Sequence, residues 1–326
     1  MRQVGLKEKP HRIEEEKIMK KWTSLTLVLG LTAGLLAGCG SAAKETAAPE
    51  ENQEAVEAST VQETVAEESS EASAEQETAP AEIQGTIKVA ASSTPHAIIL
   101  EHVKDAVAAE GWELEVTEFE DYIQPNNVVE SGEFDANYFQ HITYLNDFNE
   151  EHGTHLVSVA SLHYEPFGIY PGKSNDLSAI PDGAEIAVPN DTTNEARALL
   201  LLQENGIIQL KDGVGLEATV KDIEENPHNV KIVELEAAQV SRVIGEADFV
   251  VLNGNYAMEA GLSVGKDALA AESSESEAAQ NYANVLTVKE GKENDPGIQA
   301  LIKALETDEV KSFIEEEFDG AVVPLF

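Results

Sequence analysis

The chain has 326 residues, with 61 acidic against 21 basic side chains and a formal net charge of −40. Nucleic acid and anionic lipid headgroups are poor partners for such a chain, because phosphate recognition needs a basic face. A single cysteine excludes a disulfide scaffold and any cysteine-built zinc or iron–sulfur cluster.

The charge divides the chain into three parts: residues 1–38 carry +3, residues 40–84 carry −11 and residues 85–326 carry −32. From Met19 the chain reads Met-Lys-Lys-Trp, then an apolar run over Leu25–Leu36, then Leu36-Ala37-Gly38-Cys39. A short basic stretch, a brief apolar run and small residues before a cleavage point describe a secretory signal peptide. The run is too short for a comfortable permanent span. Leu36-Ala37-Gly38-Cys39 resembles the bacterial lipobox, whose cysteine becomes the lipidated N-terminus, and the chain's one cysteine falls where that pattern demands it. Residues 1–38 are therefore expected to be removed, with Met19 the expected start, and the rest to lie outside the cytoplasm on a lipid anchor at Cys39.

Residues 39–84 are built almost wholly from Ala, Glu, Ser, Thr, Gln, Val and Pro, with no aromatic residue. Such a segment buries too little apolar surface to offset ordering entropy, and its like charges extend it. A disordered acidic tether is expected.

The body opens with a strand over 86–91. Thr94 and Pro95 follow as an expected N-cap and first helical residue, and Ile99, Val103, Ala106 and Val107 form a helical stripe ending at Gly111. Residues 112–116 alternate as a strand. Further strands are expected near 134–139 and over 156–161, 185–189, 230–235, 248–253 and 284–289. Helices are expected near 142–151 and over 195–205, 239–245, 256–261 and 296–318. This alternation implies α/β layers with mostly parallel sheets, and its length fits two lobes better than one.

Ligands of such sheets bind beyond strand ends, so the loops after strands matter most. After strand 185–189, Thr192 and Glu195 have capping-box spacing and Arg197 falls just past the first turn. A cation is unusual at the positive end of a helix. Arg197 is one of only two arginines in the body; it is a candidate carboxylate clamp, with a structural ion pair as the alternative. Tyr122 and the run Asn137-Tyr138-Phe139-Gln140-His141-Ile142-Thr143-Tyr144 concentrate aromatic residues in a body poor in them. Tyr138 and Phe139 cannot face the same way on a strand, so at least one belongs to the core. Asn253 and Asn255 end an apolar strand and can cap the next helix or offer amides to a ligand. His141, His152, His155 and His163 offer a loose set for a zinc or manganese site. Nucleophile elbow, phosphate loop and dinucleotide fingerprint are all missing, so enzymatic activity and a cofactor are not expected.

Taken together, Pro95–Val103, Asp121–Asn126, Phe134–His141, Asn194–Leu202, Leu252–Ala257 and Tyr282–Val285 resemble, in order, the NlpA family of methionine-binding lipoproteins. The resemblance implies a two-lobed fold of the periplasmic-binding-protein type II kind, with a hinged ligand cleft: residues 85–167 with 286–326 as one lobe and 168–285 as the other. It implies capture of L-methionine or a close analogue by a monomer that delivers it to the permease and ATPase subunits of an ABC importer. Arg197 would hold the ligand carboxylate and Asn253 and Asn284 its amino-acid backbone, while Tyr122, Phe139, His141 and Tyr144 would line the slot for the thioether. His163 and Glu165 would lie near the hinge. Asn281, and an acidic Ser/Glu stretch over 272–277, depart from the family pattern. A metal-binding lipoprotein built on His141, His152, His155 and His163 is the alternative.

Overall fold

The computed structural model describes residues 82–273 and 281–326. The expected signal peptide, Cys39, all but the last residues of the tether, and most of the acidic stretch over 272–277 lie outside the described residues.

Two mixed sheets organise the body. The first has six strands in the order β13-β4-β12-β3-β1-β2. These are β1 (Gly85–Ala91), β2 (Trp112–Glu118), β3 (Ala136–His141), β4 (Leu156–Tyr164), β12 (Ala283–Lys289) and β13 (Val323–Pro324). The second has five strands in the order β11-β5-β10-β6-β9, namely β5 (Gly168–Pro171), β6 (Glu185–Pro189), β9 (Lys231–Leu235), β10 (Phe249–Leu252) and β11 (Ala270–Ala271). A two-stranded ribbon joins β7 (Gln209–Leu210) to β8 (Ile223–Glu225). Among the described residues the chain leaves the first sheet between β4 and β5 and returns between β11 and β12. The boundary expected at 285/286 falls inside β12, whose pairing with β4 already begins at Ala283. That whole strand belongs to the first sheet.

The sheets are mixed, not mostly parallel. β1 runs parallel to β2 and β3, and β6 runs parallel to β9 and β10. β12 is antiparallel to both its neighbours, as is β5 to β10 and β11. β5 and β12 each adjoin a segment that crosses between sheets, whereas a third antiparallel strand, β13, pairs with β4 at the sheet's edge.

Central strands are apolar on both faces, as covered sheets require: every residue of β3 and of β10 is buried. One core gathers Ile87, Val89, Leu286 and Val288 with Leu100 and Val107 and with Leu301 and Ile314 from the two C-terminal helices, Pro296–Leu305 and Asp308–Phe318. A second packs Ile169, Ile186, Val188, Phe249 and Val251 against Leu199 and Leu202 of the helix Thr192–Glu204. Residues at or just after the ends of β3, β4, β6 and β10, from both sheets, line one shared pocket.

Two local expectations are corrected. Thr94 stays in extended backbone (φ −135°, ψ 132°) and caps nothing; regular helix runs over Ile98–His102 and, after a break at Val103, over Lys104–Ala109. The helix after β6 begins at Thr192, and its cap is Asp191, whose carboxylate accepts from the Asn194 N–H at 3.0 Å. Glu195 serves a distant segment instead, accepting from the Val220 N–H at 3.0 Å.

Candidate functional site

The site is built from strand ends. β3 is wholly buried and alternates, sending Tyr138 into the main core and Phe139 to the other side. Phe139 there joins Tyr122, Tyr144 and Phe148 in a small aromatic cluster. The Tyr122 ring lies 5.7 Å from Phe139 and 5.6 Å from Tyr144, and stacks at 5.0 Å on Tyr256. Edge and offset contacts of this kind hold rings in place beyond simple burial.

His141 ends β3 and caps the helix Ile142–His152, its Nδ1 accepting from the Tyr144 N–H at 3.0 Å. Because Nδ1 accepts, the proton resides on Nε2, which faces Asn194 Oδ1 at 3.2 Å. The same Oδ1 accepts from Asn253 Nδ2 at 2.8 Å, and Asn194 Nδ2 donates to Asp191 at 2.8 Å. A hydrogen-bonded chain thus links the end of β3 in one sheet to the ends of β6 and β10 in the other. Burial, with the nearby Arg197 charge, pushes the His141 pKa down to about 3, so the ring is neutral near neutral pH.

Arg197 is 4 % exposed. Its Nε and Nη2 pair with the two oxygens of Glu272 at 2.8 and 2.6 Å, and Nη2 also donates to the Glu165 carbonyl at 2.9 Å. Tyr282, Phe167 and Tyr164 surround the guanidinium carbon at 4.1, 4.7 and 5.8 Å. Burial works against the charge, but the Glu272 carboxylate outweighs it and raises the guanidinium above its ordinary value. For Glu272, burial acts upward, yet Arg197 and two further hydrogen-bond donors, the Tyr164 hydroxyl and the Phe167 N–H, hold it below the usual carboxylate range. The two readings of Arg197 from sequence therefore combine. It makes a structural ion pair with one side of its fork, and its remaining nitrogen, Nη1, has no hydrogen-bond partner among the described residues.

Asn284 lies beside the shift in register where β12 bulges against β4, and its Oδ1 meets His96 Nε2 at 3.0 Å. A bulge re-aims a side chain at a functional edge. Asn255 Oδ1 accepts from the Tyr122 hydroxyl at 2.5 Å, another link between the two sheets' loops.

These groups line one small, narrow pocket. Tyr122, Phe139, His141, Tyr144, Arg197, Asn253 and Asn284 all line it, together with Gln140, Glu165, Asn194, Gly254 and Asn255. All seven side chains named from sequence are thus brought to one cavity. Two atoms of its wall, Asn253 Oδ1 and Asn255 Nδ2, are buried without a partner. Buried polar groups are rarely left so, and one acceptor and one donor on the same wall suit a small molecule carrying both functions. Sequence reasoning missed Glu272 and the cage of Tyr164, Phe167 and Tyr282, and placed Glu165 only near a hinge.

The four histidines considered for a metal are not gathered. His152 stacks on Phe148 at 4.1 Å, and His155 faces Glu130 at the surface. His141 belongs to the cavity, while His163 is enclosed deeper, bonded to Tyr138 and Glu165. A different trio, His96, His163 and Glu165, brings its potential ligand atoms within 4.8 Å of one another. His163 uses one nitrogen on Tyr138 and the other on Glu165, and His96 Nε2 meets Asn284, while His96 Nδ1 is buried without a partner.

Two mixed α/β sheets, with a part-aromatic and part-charged pocket made by loops from both, define a binding protein of the two-sheet, cleft-bearing class. The NlpA lipoprotein family model matches residues 87–326, and the chain belongs to that family. Among solved structures, a lipoprotein from Ruminococcus gnavus is 68 % identical, with a TM-score of 0.73 over 74 % of this chain and 99 % of that one. A nutrient-binding protein from Burkholderia cenocepacia, solved bound to methionine, is 43 % identical, with a TM-score of 0.70 over 74 % of this chain and 100 % of that one. The membrane lipoprotein TpN32 of Treponema pallidum is 43 % identical over 73 % of this chain and 87 % of its own length.

Proposed function

We propose that the protein is an extracytoplasmic lipoprotein that captures methionine, or a close analogue, and delivers it to an ATP-driven importer. The observation that carries this reading is the cavity's division of labour. A buried cation and the unpartnered amide atoms Asn253 Oδ1 and Asn255 Nδ2 line part of the wall, and Tyr122, Phe139 and Tyr144 line another. An amino acid with an unbranched, sulfur-bearing tail matches both: its charged end needs buried polar partners, and its thioether gains from ring contacts. The methionine-bound relative from Burkholderia cenocepacia supports the same ligand.

In this reading Arg197 meets the ligand carboxylate through Nη1, with Glu272 fixing the rest of the fork. Asn253 and Asn284 hold the backbone of the amino acid, and His141 serves as a wall and hydrogen-bonding group. The two sheets belong to lobes hinged at the crossings before β5 and before β12. Ligand contacts made to both lobes favour the closed arrangement, and only that differential affinity can shift the equilibrium. The importer's membrane subunits would then recognise the closed form. The lipid on Cys39 and the tether would hold the body at the membrane's outer face. Among the described residues no helix is long and apolar enough to cross a membrane.

Calorimetric titration of the mature protein with each common amino acid tests the proposal. The expected result is saturable 1:1 heat with methionine; silence with all of them would refute it.

A further inference from the structure

Resting on the methionine reading, with Asn284 as a ligand contact, we infer that His96 is a positioning residue whose Nε2–H holds the oxygen of the Asn284 amide. The pocket is then offered the donor end of that amide, for the acid group of the ligand. Asn284 lines the pocket and His96 does not. Asn284 Oδ1 meets His96 Nε2 at 3.0 Å, and both residues are buried. The His96 ring is itself held in place, edge-on to Tyr138 at 4.7 Å and 5.1 Å from the His163 ring. A buried ring packed in this way has little freedom to turn.

The direction of the His96–Asn284 hydrogen bond is set by a third group. Burial pushes the His96 pKa down to about 4, so the ring carries one proton near neutral pH. Its Nε2 lies 3.5 Å from Glu165 Oε1, an oxygen that already accepts from His163 Nε2 at 2.8 Å. A lone pair on His96 Nε2 would face that acceptor, and a proton on Nδ1 would be buried with no partner. Placing the proton on Nε2 avoids both costs. An N–H there requires an acceptor opposite, which fixes Oδ1 as the amide atom beside it and leaves Nδ2 for the pocket. An amide free to rotate would have to be ordered on binding, so fixing it beforehand favours affinity. Asn253 is fixed in the opposite sense: its Nδ2 donates to Asn194 Oδ1 at 2.8 Å, and its Oδ1 is left unpartnered. The pocket thus holds one preset donor amide and one preset acceptor amide.

Calorimetric titration of L-methionine into His96 variants tests the inference. A glutamine side chain places its amide nitrogen where Nε2 stands, and an asparagine places its own where Nδ1 stands. His96→Gln should therefore bind within about threefold of wild type, whereas His96→Asn and His96→Leu should each lose about tenfold, the worth of one net hydrogen bond. In an Asn284→Ala background, His96→Leu should change affinity by less than about twofold, because the group it positions is gone. Circular dichroism melts show which variants are folded at the titration temperature, and His96→Gln supplies the conservative case. The inference is overturned if His96→Gln binds no better than His96→Asn, if His96→Leu binds as tightly as wild type, or if its loss is equal with and without Asn284. Asn284→Ala binding as tightly as wild type would remove Asn284 from the ligand contacts and the inference with it. Absence of methionine binding in wild type would instead overturn the functional reading itself.

Discussion

Glu272→Ala should destabilise the ligand-free protein more than any surface substitution can. Glu272 accepts four hydrogen bonds: from Arg197 Nε and Nη2 at 2.8 and 2.6 Å, from the Tyr164 hydroxyl at 2.7 Å and from the Phe167 N–H at 3.1 Å. Truncation strands a guanidinium that is 4 % exposed, with only its bond to the Glu165 carbonyl and three rings around it. Removing one partner of a buried ion pair costs about 3–5 kcal/mol, and the rings return roughly 1–2 kcal/mol of cation–π attraction that is present in both proteins and so cancels. For a body of this size each kcal/mol lowers Tm by about 2–4 °C, so a fall of about 6–20 °C is expected. Thermal unfolding followed by circular dichroism without methionine measures it. Arg197→Met/Glu272→Ala should recover part of the loss, because it removes both buried charges together. A single variant melting within about 2 °C of wild type would refute the argument that this pair is desolvated and coupled.

Further outcomes follow from the same geometry. Gly254→Ala would place a methyl group 2.6 Å from Glu165 Oε2 and 2.7 Å from its Cβ; overpacking of that kind costs about 1–3 kcal/mol, and methionine affinity measured by calorimetry should fall with it. Phe139→Ala removes a ring from the apolar wall and should weaken methionine by about 10-fold or more while sparing small hydrophilic amino acids, to which that ring gives nothing. The buried histidines make stability depend on pH. His96, His141 and His163 have folded pKa values depressed to about 4, 3 and 3, against an unfolded value of 6.5. The unfolded chain therefore takes up protons first as pH falls below about 6.5, and stability drops by up to about 1.4 kcal/mol per pH unit for each ring. Glu165, with its raised pKa, acts in the opposite sense. Denaturant unfolding between pH 7 and 5 should show the net loss, and His163→Gln should make it shallower by the share of one ring; a flat wild-type profile would contradict neutral burial.

Much of this site can be read from sequence because its side chains sit beside strongly patterned elements. β6 was placed over Glu185–Pro189 by its apolar run, and the alternation around Tyr138 and Phe139 told that one ring must face the core. Legibility ends where partners are far apart in sequence. Glu272 is one of 61 acidic residues, and only the fold brings it 75 positions back to Arg197. The cap of the following helix was misread because Asp191 and Thr192 are adjacent acceptors and local spacing favours neither strongly. Strand direction was lost for a related reason: periodicity reports which face is buried, whereas β5 and β12 owe their antiparallel sense to the crossings that precede them.

The most direct test of the central claim is a crystal structure of the protein with selenomethionine as ligand, phased on selenium. The account predicts one anomalous peak beside Tyr122, Phe139 and Tyr144, with the ligand carboxylate on Arg197 Nη1. A peak against the Arg197–Glu272 pair, or none within the cavity, would contradict it.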